Sequence, residues 1–380
     1  LLTVSIHSGV SDGELDEDEL PKKVKRIEDK SQYKRAATGD LVFNMMRAWQ
    51  GAIGTVRTEG MVSPAYIVAR PNGKVYPLFM DYYMKTPRMV GMINRQSYGV
   101  TDFRKRLYWD SFAPIPCVLP PVAEQKKIAE ILATQDKAIE LQGRKIEELK
   151  RFKKGCLEKM FPRKGQKVPE KRFPGFTGDW EQRKLSELTS MHARIGWQNL
   201  RTSEFLDSGD YMLITGIDFN DGAIDFSTCH YVERERYEQD RNIQIHNGSI
   251  LITKDGTLGK VAYVQGLSMP ATLNAGVFNV QIKDANNVDE KYLFQYLKAP
   301  FLMDYVDKKA TGGTIKHLNQ STLVDFPVIS PQRSEQILIG AFLQQLDSLI
   351  TLHQRKLEEM KRQKKALMQT LLTGIVRVKA

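Results

Sequence analysis

Five segments of this chain place hydrogen-bonding side chains beside glycine or aromatic residues. Residues 44–50 carry Arg47 and Gln50, and residues 98–106 carry Tyr98, Arg104, Lys105 and Arg106. Residues 194–199 carry Arg194, Trp197 and Asn199. Residues 253–257 carry Lys254 and Thr257, and residues 311–319 carry Thr314, Lys316 and Asn319. Arg, Lys, Asn, Gln, Ser and Thr are the side chains that read base edges, while further basic groups neutralise phosphates. The dense run Arg104–Arg106 suits phosphate contact, because clustered charge positions a duplex without discriminating bases. Lys316 stands alone among Thr, Gly and Asn. Taken singly, each of these residues is equally a solvated surface charge or part of a turn.

The charge balance points the same way. Lys and Arg exceed Asp and Glu to give a formal net charge of +11 and a pI near 9.3. That excess suggests a polyanionic partner, most simply nucleic acid, although a basic soluble protein without one has the same composition. The chemistry of a self-sufficient enzyme is missing. The single Pro-Pro, Pro120-Pro121, is not in an [ND]-P-P-[YFW] amino-methyltransferase motif. Gly256 to Lys260 has the wrong spacing for a phosphate-binding loop; its glycine pair resembles a KH-type G-x-x-G loop but reads rather as a hairpin. No H-E-x-x-H or G-x-S-x-G occurs, and the six histidines are dispersed. Cys117, Cys156 and Cys229 form no C-x-x-C pair, which argues against zinc and for a reducing compartment. No apolar run approaches the ~18 residues of a membrane span. The expectation is a cytoplasmic protein with no membrane partner and no metal.

What positions the five segments is a repeat. Residues 124–161 return 211 positions later as residues 335–372, with about 15 of 38 positions identical. The chain is therefore two similar halves, each a mixed domain followed by a long helix. Heptad spacing runs through both copies. The seam is expected at Leu132, Ile139, Ile146, Leu149 and at Leu343, Ile350, Leu357, Met360, with Gln142 and His353 as polar breaks. Two matched helices are expected to pair antiparallel; the competing reading packs each helix on its own domain.

Short strands are expected at residues 41–43, 65–69, 249–253, 260–264 and 276–282. Helices are expected at residues 78–93, interrupted or kinked by Pro87, and at residues 292–306. Residues 162–184, with seven Lys/Arg against three Asp/Glu, read as a basic, partly extended linker. The domain plan is 1–119, a first mixed domain; 120–162, the first long helix; 163–184, the linker; 185–329, the second mixed domain; and 330–373, the second long helix, with a tail to 380.

The Pro…Glu-Gln-x-x-Ile opening of both helices, with the R-F-P-G-F-x-G-x-W segment at Arg172–Trp180 and the K-L-x-E-L segment at Lys184–Leu188, resembles the specificity subunit of type I restriction-modification enzymes. The resemblance covers nearly the whole chain. It implies an α+β fold with two mixed α/β target-recognition domains joined by two long antiparallel helices in a coiled coil, with pseudo-two-fold symmetry. It implies a non-catalytic subunit of a bacterial defence system, in which each domain reads half of a bipartite double-stranded DNA site. Two methyltransferase subunits and two restriction/translocase subunits are the implied partners, and S-adenosylmethionine, ATP and Mg belong to them. The alternative is a coiled-coil assembly scaffold without nucleic-acid binding. One departure is notable: the segment at 172–188 has no copy in the first half. Shifted back by the repeat it falls ahead of Leu1, so about 30 to 50 residues of the first recognition domain are expected to be absent.

Overall fold

The computed structural model describes residues 1–6, 9–11, 30–101, 104–163, 165–256, 258–309 and 318–379. The chain forms two compact units. The first comprises Leu1–Lys145 with His353–Ala380, and the second comprises Ile146–Leu352. Both boundaries fall inside long helices, Val122–Met160 and Arg333–Leu371, of 39 residues each. Each unit therefore owns part of both helices.

In the first unit a three-stranded antiparallel sheet has the order Ile53–Thr55, Leu41–Asn44, Tyr66–Ala69. The helices Pro77–Tyr83, Pro87–Arg95 and Trp109–Phe112 follow. Pro87 does not kink one helix but starts a second. It occupies a first-turn position, where its missing N–H costs nothing, and Thr86 Oγ1 accepts from Met89 N. Phe43, Phe79, Met89 and Ile93 form a core with Ile128 and Leu132 of the first long helix and Leu371 of the second.

The second unit builds the same frame. Its antiparallel sheet has the order Val261–Tyr263, Ile250–Thr253, Val277–Ile282, Thr189–His192. The helices are Glu290–Lys298, Phe301–Lys309 and Gln320–Val324. The single helix expected over 292–306 is divided at Ala299, whose extended backbone (φ −66°, ψ 159°) is what a residue before Pro300 prefers. This unit adds a second sheet, ordered His230–Val232, Tyr211–Ile214, Ala271–Leu273, Gln244–Ile245, with its own apolar core.

The stretch at 163–184 is not a free linker. Trp180 is buried, edge-on to Phe161 at 6.4 Å, and Phe173 meets Phe342. Glu181–Lys184 forms a strand against Pro327–Ser330. Burying Trp180 and half-burying Phe173 outweighs the pull of its charges toward solvent.

Each long helix is anchored at its start by the repeated Glu-Gln. Gln125 accepts from Tyr76 N at 2.8 Å and donates to the carbonyls of Lys74 and Pro120. Gln336 accepts from Asp289 N at 3.0 Å and donates to the carbonyls of Asn287 and Pro331. Both amides are buried and fully used, the condition under which a buried polar group stabilises. The preceding carboxylates each bind an arginine: Glu124 takes Arg377, and Glu335 takes Arg172, both at 2.6 Å. A carboxylate in the first turn also complements the helix dipole.

The helices run antiparallel within each unit. Asp136 pairs with Lys364, and Gln142 meets His353, donating to its Nδ1 and its carbonyl at 2.8 Å. In the second unit Lys153 binds both oxygens of Asp347 at 2.7 Å. Asp136 and Asp347 are repeat equivalents, as are Lys153 and Lys364. One ion pair is thus made twice, with the helices exchanging roles. Tyr82 donates to Asp136 at 2.7 Å, and Gln295 donates to Asp347 at 2.7 Å. Lys298 also reaches Asp347, at 3.3 Å. Burial raises the Asp347 carboxyl, but the Lys298 and Lys153 ammoniums more than offset this and hold it below its usual range. Lys153 is pushed down, by burial first and then by Lys298, despite Asp347.

The seam is apolar where the heptad placed it. Leu132, Ile146, Leu149, Leu343 and Ile350 are buried, and Ile139, Leu357 and Met360 are half-buried. Both readings of the helices hold. Ile128 and Leu132, like Ile339 and Leu343, pack into their own unit's core, while the middle turns pair with the other helix. Among the described residues no helix is long and apolar enough to cross a membrane.

Candidate nucleic-acid interface

In the first unit the fold brings the two candidate segments together. Residues 44–50 follow the central strand Leu41–Asn44, and a short helical turn at Ala48–Gln50 ends at Gly51, whose φ of 102° suits glycine. Residues 98–106 return alongside. Tyr98 and Arg106 exchange backbone hydrogen bonds at 3.0 and 2.8 Å, and Leu107 N donates to Met45 O at 2.9 Å. Lys105 links the segments: its Nζ lies 5.4 Å from the Trp49 ring centroid and 3.2 Å from Asn94 Oδ1. Arg47, Gln50, Arg104 and Arg106 are exposed, and Tyr98 is 61% exposed. The patch offers three arginines, a half-buried lysine and an amide, beside a phenol able to stack or donate.

In the second unit residues 254 and 318 meet at the end of the strand Ile250–Thr253. Lys254 N donates to Gly276 O, and Leu318 N donates to Lys254 O at 2.8 Å. Lys254 Nζ sits 5.5 Å from the Phe278 ring centroid. Asn199 and Asn319 are exposed. Asn319 starts the helix Gln320–Val324 without capping it through its side chain. Trp197 lies in the turn Gly196–Gln198. Its side chain, together with Thr257, Thr314 and Lys316, lies outside the described residues.

Arg194 leaves the candidate set. It is 2% exposed, and its guanidinium is spent inside the unit. Nε donates to Leu273 O at 2.9 Å, Nη1 to Gln239 Oε1 at 3.1 Å, and Nη2 to Thr272 Oγ1 at 3.3 Å. Burial, then the nearby Arg236 charge, lowers its pKa from the usual arginine value. A buried guanidinium needs several acceptors, and it finds them by pinning residues 194–199 to the strand Ala271–Leu273. Sequence cannot separate this arginine from a reading one, because both sit in glycine- and aromatic-bearing loops.

Other residues escaped the sequence reading. Trp49 and Asn94 hold Lys105. Exposed apolar side chains border both patches: Met46 and Val100 in the first unit, and Ile217, 82% exposed, in the second. Ile217 follows Gly216, where an added Cβ would lie 3.4 Å from Thr253. An isoleucine in a turn between glycine and aspartate was the available signal.

The two patches share one backbone fastening. The hydrogen bond Leu107 N to Met45 O in one unit is Leu318 N to Lys254 O in the other. Leu107 and Leu318 are 211 positions apart, and the repeat also lays Lys105 on Lys316.

Comparison with known proteins matches this architecture. The type I restriction modification DNA specificity domain family matches residues 48–151 and 177–362, more than half of the chain. The MjaVIII type I restriction enzyme specificity subunit of Methanocaldococcus jannaschii is 24% identical over 84% of this chain and 75% of its own length. The putative MjaX specificity subunit of the same organism is 26% identical over 93% of this chain and 81% of its own length. The fold is similar to that of the type I restriction-modification S subunit from M. genitalium, with a TM-score of 0.56, 13% identity, and coverage of 88% of this chain and 83% of that one. A chain from a study of complex assembly and conformational transition of the type I system gives a TM-score of 0.54 at 18% identity, covering 91% and 84%. With the repeated frame, the paired helices and the matched loop patches, these similarities identify the chain as a member of the type I restriction modification DNA specificity family.

Proposed function

We propose that this chain is the non-catalytic, sequence-reading subunit of a type I restriction-modification complex. Each unit reads one half of a bipartite site in double-stranded DNA. The first unit does so through Arg47, Gln50, Tyr98, Arg104, Lys105 and Arg106. The second uses Trp197, Asn199, Lys254, Thr257, Thr314, Lys316 and Asn319. The paired helices set the separation between half-sites and scaffold two methyltransferase and two restriction/translocase subunits. S-adenosylmethionine, ATP and Mg act in those partners.

The observation that carries this reading is the matched loop pair. Both units fasten the same two loops to the end of a central strand with the same backbone hydrogen bond, yet fill them with different side chains. One scaffold bearing two different donor sets suits a target with two unlike half-sites. The net charge of +11 supplies the phosphate attraction that such a site needs.

A 39-residue helix is roughly 58 Å long, which caps the half-site separation at roughly 17 base pairs of 3.4 Å rise. Deleting one heptad from both helices tests the ruler. The methylated motif of a host carrying the variant should have a shorter spacer and unchanged half-sites. Changed half-site bases with the original spacer would refute it.

A further inference from the structure

In the second unit one turn holds an apolar side chain out in water. The turn Gly216–Asp218 follows the strand Tyr211–Ile214. Its Ile217 is 82% exposed, more than any other large apolar side chain of this unit among the described residues. A single exposed isoleucine is ordinary on a protein surface. This one stands on a turn that other groups hold in place. Asp218 is 1% exposed. Its Oδ2 accepts from Thr215 N at 2.7 Å and from Thr215 Oγ1 at 2.8 Å, and its Oδ1 accepts from Thr228 Oγ1 at 2.8 Å. Asp225 N donates to Asp218 O at 2.8 Å. The isoleucine side chain takes no part in these bonds, so the fold does not call for it there.

The turn lies between two of the segments that carry donors. On one side Tyr211–Ile214 runs parallel to Ala271–Leu273, with Ile214 opposite Leu273, and Asn274 N donates to Ile214 O at 2.9 Å. Leu273 O is where Arg194 pins residues 194–199. On the other side a Cβ built on Gly216 would touch Thr253 Cγ2 at 3.4 Å and lie 3.9 Å from Asp255 O, which sets the turn against the two residues that flank Lys254. Asn199 and Lys254 thus offer hydrogen-bonding groups on either side, and Ile217 offers an apolar one between them. Of the four bases only thymine presents a methyl group in the major groove, and apolar side chains recognise it by contact.

We propose that Ile217 contacts the 5-methyl group of a thymine in the half-site read by the second unit. This contact rests on the DNA reading proposed above and adds a specificity-determining residue to it. Donors from the flanking segments meet neighbouring base edges, and the isoleucine makes one position an A·T pair of fixed orientation.

The test uses the complex of this chain with its methyltransferase subunits, and duplexes bearing the motif that methylome sequencing of the host reveals. Each thymine is replaced in turn by deoxyuridine, which lacks only the methyl group. Competition binding should weaken about fourfold at one thymine, the effect of one buried methyl. That thymine should lie in the half-site that changes when residues 186–326 are exchanged. Ile217→Ala should weaken binding to the thymine duplex and should no longer distinguish it from the deoxyuridine duplex. Ile217→Val should keep most of the discrimination. The urea midpoint of Ile217→Ala should match the parent's, because the side chain lies in water when DNA is absent. The contact is ruled out if that half-site holds no A·T pair, if no deoxyuridine substitution is felt, or if Ile217→Ala discriminates as well as the parent. Equal weakening on all duplexes also rules it out, in favour of a wedge between base steps or a partner-subunit contact. These results leave the proposed DNA reading standing. Absence of sequence-selective binding by the parent complex would remove that reading and the contact together.

Discussion

The two units make the same anchors and differ in what they carry. In both, a buried glutamine ties the long helix to its own domain, a glutamate takes an arginine, and a seam aspartate takes a lysine from the opposite helix. What differs is the cargo. The second unit has an extra four-stranded sheet with its own core, and a buried arginine that pins one loop to that sheet. The first instead has two short antiparallel pairs, Thr3–Ser5 with Gly9–Ser11 and Lys34–Ala36 with Gly60–Val62, over a smaller second core, and a dense basic run at Arg104–Arg106. Repeated hydrogen bonds fix where the loops stand, so loop composition is free to change without moving them.

The largest expected difference between the two units lies in the shared seam pair. In the second unit Lys153 and Asp347 side chains are 9% and 23% exposed, whereas Lys364 and Asp136 are 23% and 41% exposed. Asp347→Ala would strand the buried Lys153 ammonium and leave Lys298 with Asp221 alone, and should cost roughly 3–5 kcal/mol. Asp136→Ala leaves one wetter ammonium and should cost about 1–2 kcal/mol, largely the lost hydrogen bonds from Tyr82 and Lys364. Urea denaturation of both variants reads the difference. Equal losses would mean that the two seam pairs are not graded by burial.

The next effect is on binding. The triple alanine variant of Arg104, Lys105 and Arg106 should weaken binding to all duplexes alike. It should also flatten the dependence of log K on log salt by up to ~2.7, at ~0.9 per phosphate contact. Lys316→Ala should instead relax one base position by ~1–3 kcal/mol. Competition between cognate and scrambled duplexes at several salt concentrations distinguishes them. An unchanged salt slope for the triple variant would reassign that run to a solvated surface or a partner subunit.

The smallest effect is with pH. Asp347 is held below its ordinary value in the folded chain, so its charge contributes stability above the unfolded carboxyl range near ~3.9. That contribution is lost as pH falls through the folded value. The urea midpoint should therefore drop on acidification, and Asp347→Asn should drop less steeply than the parent over the same window. Parallel pH profiles would remove Asp347 from this role.

Much of the frame was legible because it repeats. The two long helices and their seam, with Gln142 and His353 as polar breaks, follow from heptads and a fixed offset; that these two side chains meet does not. The partners of the seam charges were not legible. Asp136 and Asp347 stand among the repeated positions, yet period alone does not say that each faces a lysine across the pair. Residues 162–184 look like a linker by charge, but Trp180, Phe161 and Phe173 decide their fate by burial. Residues 292–306 look like one helix until Pro300 is allowed to act on Ala299. At the candidate interface the loops were found but Arg194 was misassigned, because a guanidinium that reads outward and one that braces inward share a local sequence. Only the acceptors at Leu273, Gln239 and Thr272 tell them apart.

The proposed function requires one scaffold to hold two independent readers. Replacing residues 186–326 with the equivalent domain of a relative, and sequencing the methylome of the host, tests it most directly. One half of the methylated motif should change while the other half and the spacer stay the same. A change in both halves would contradict it.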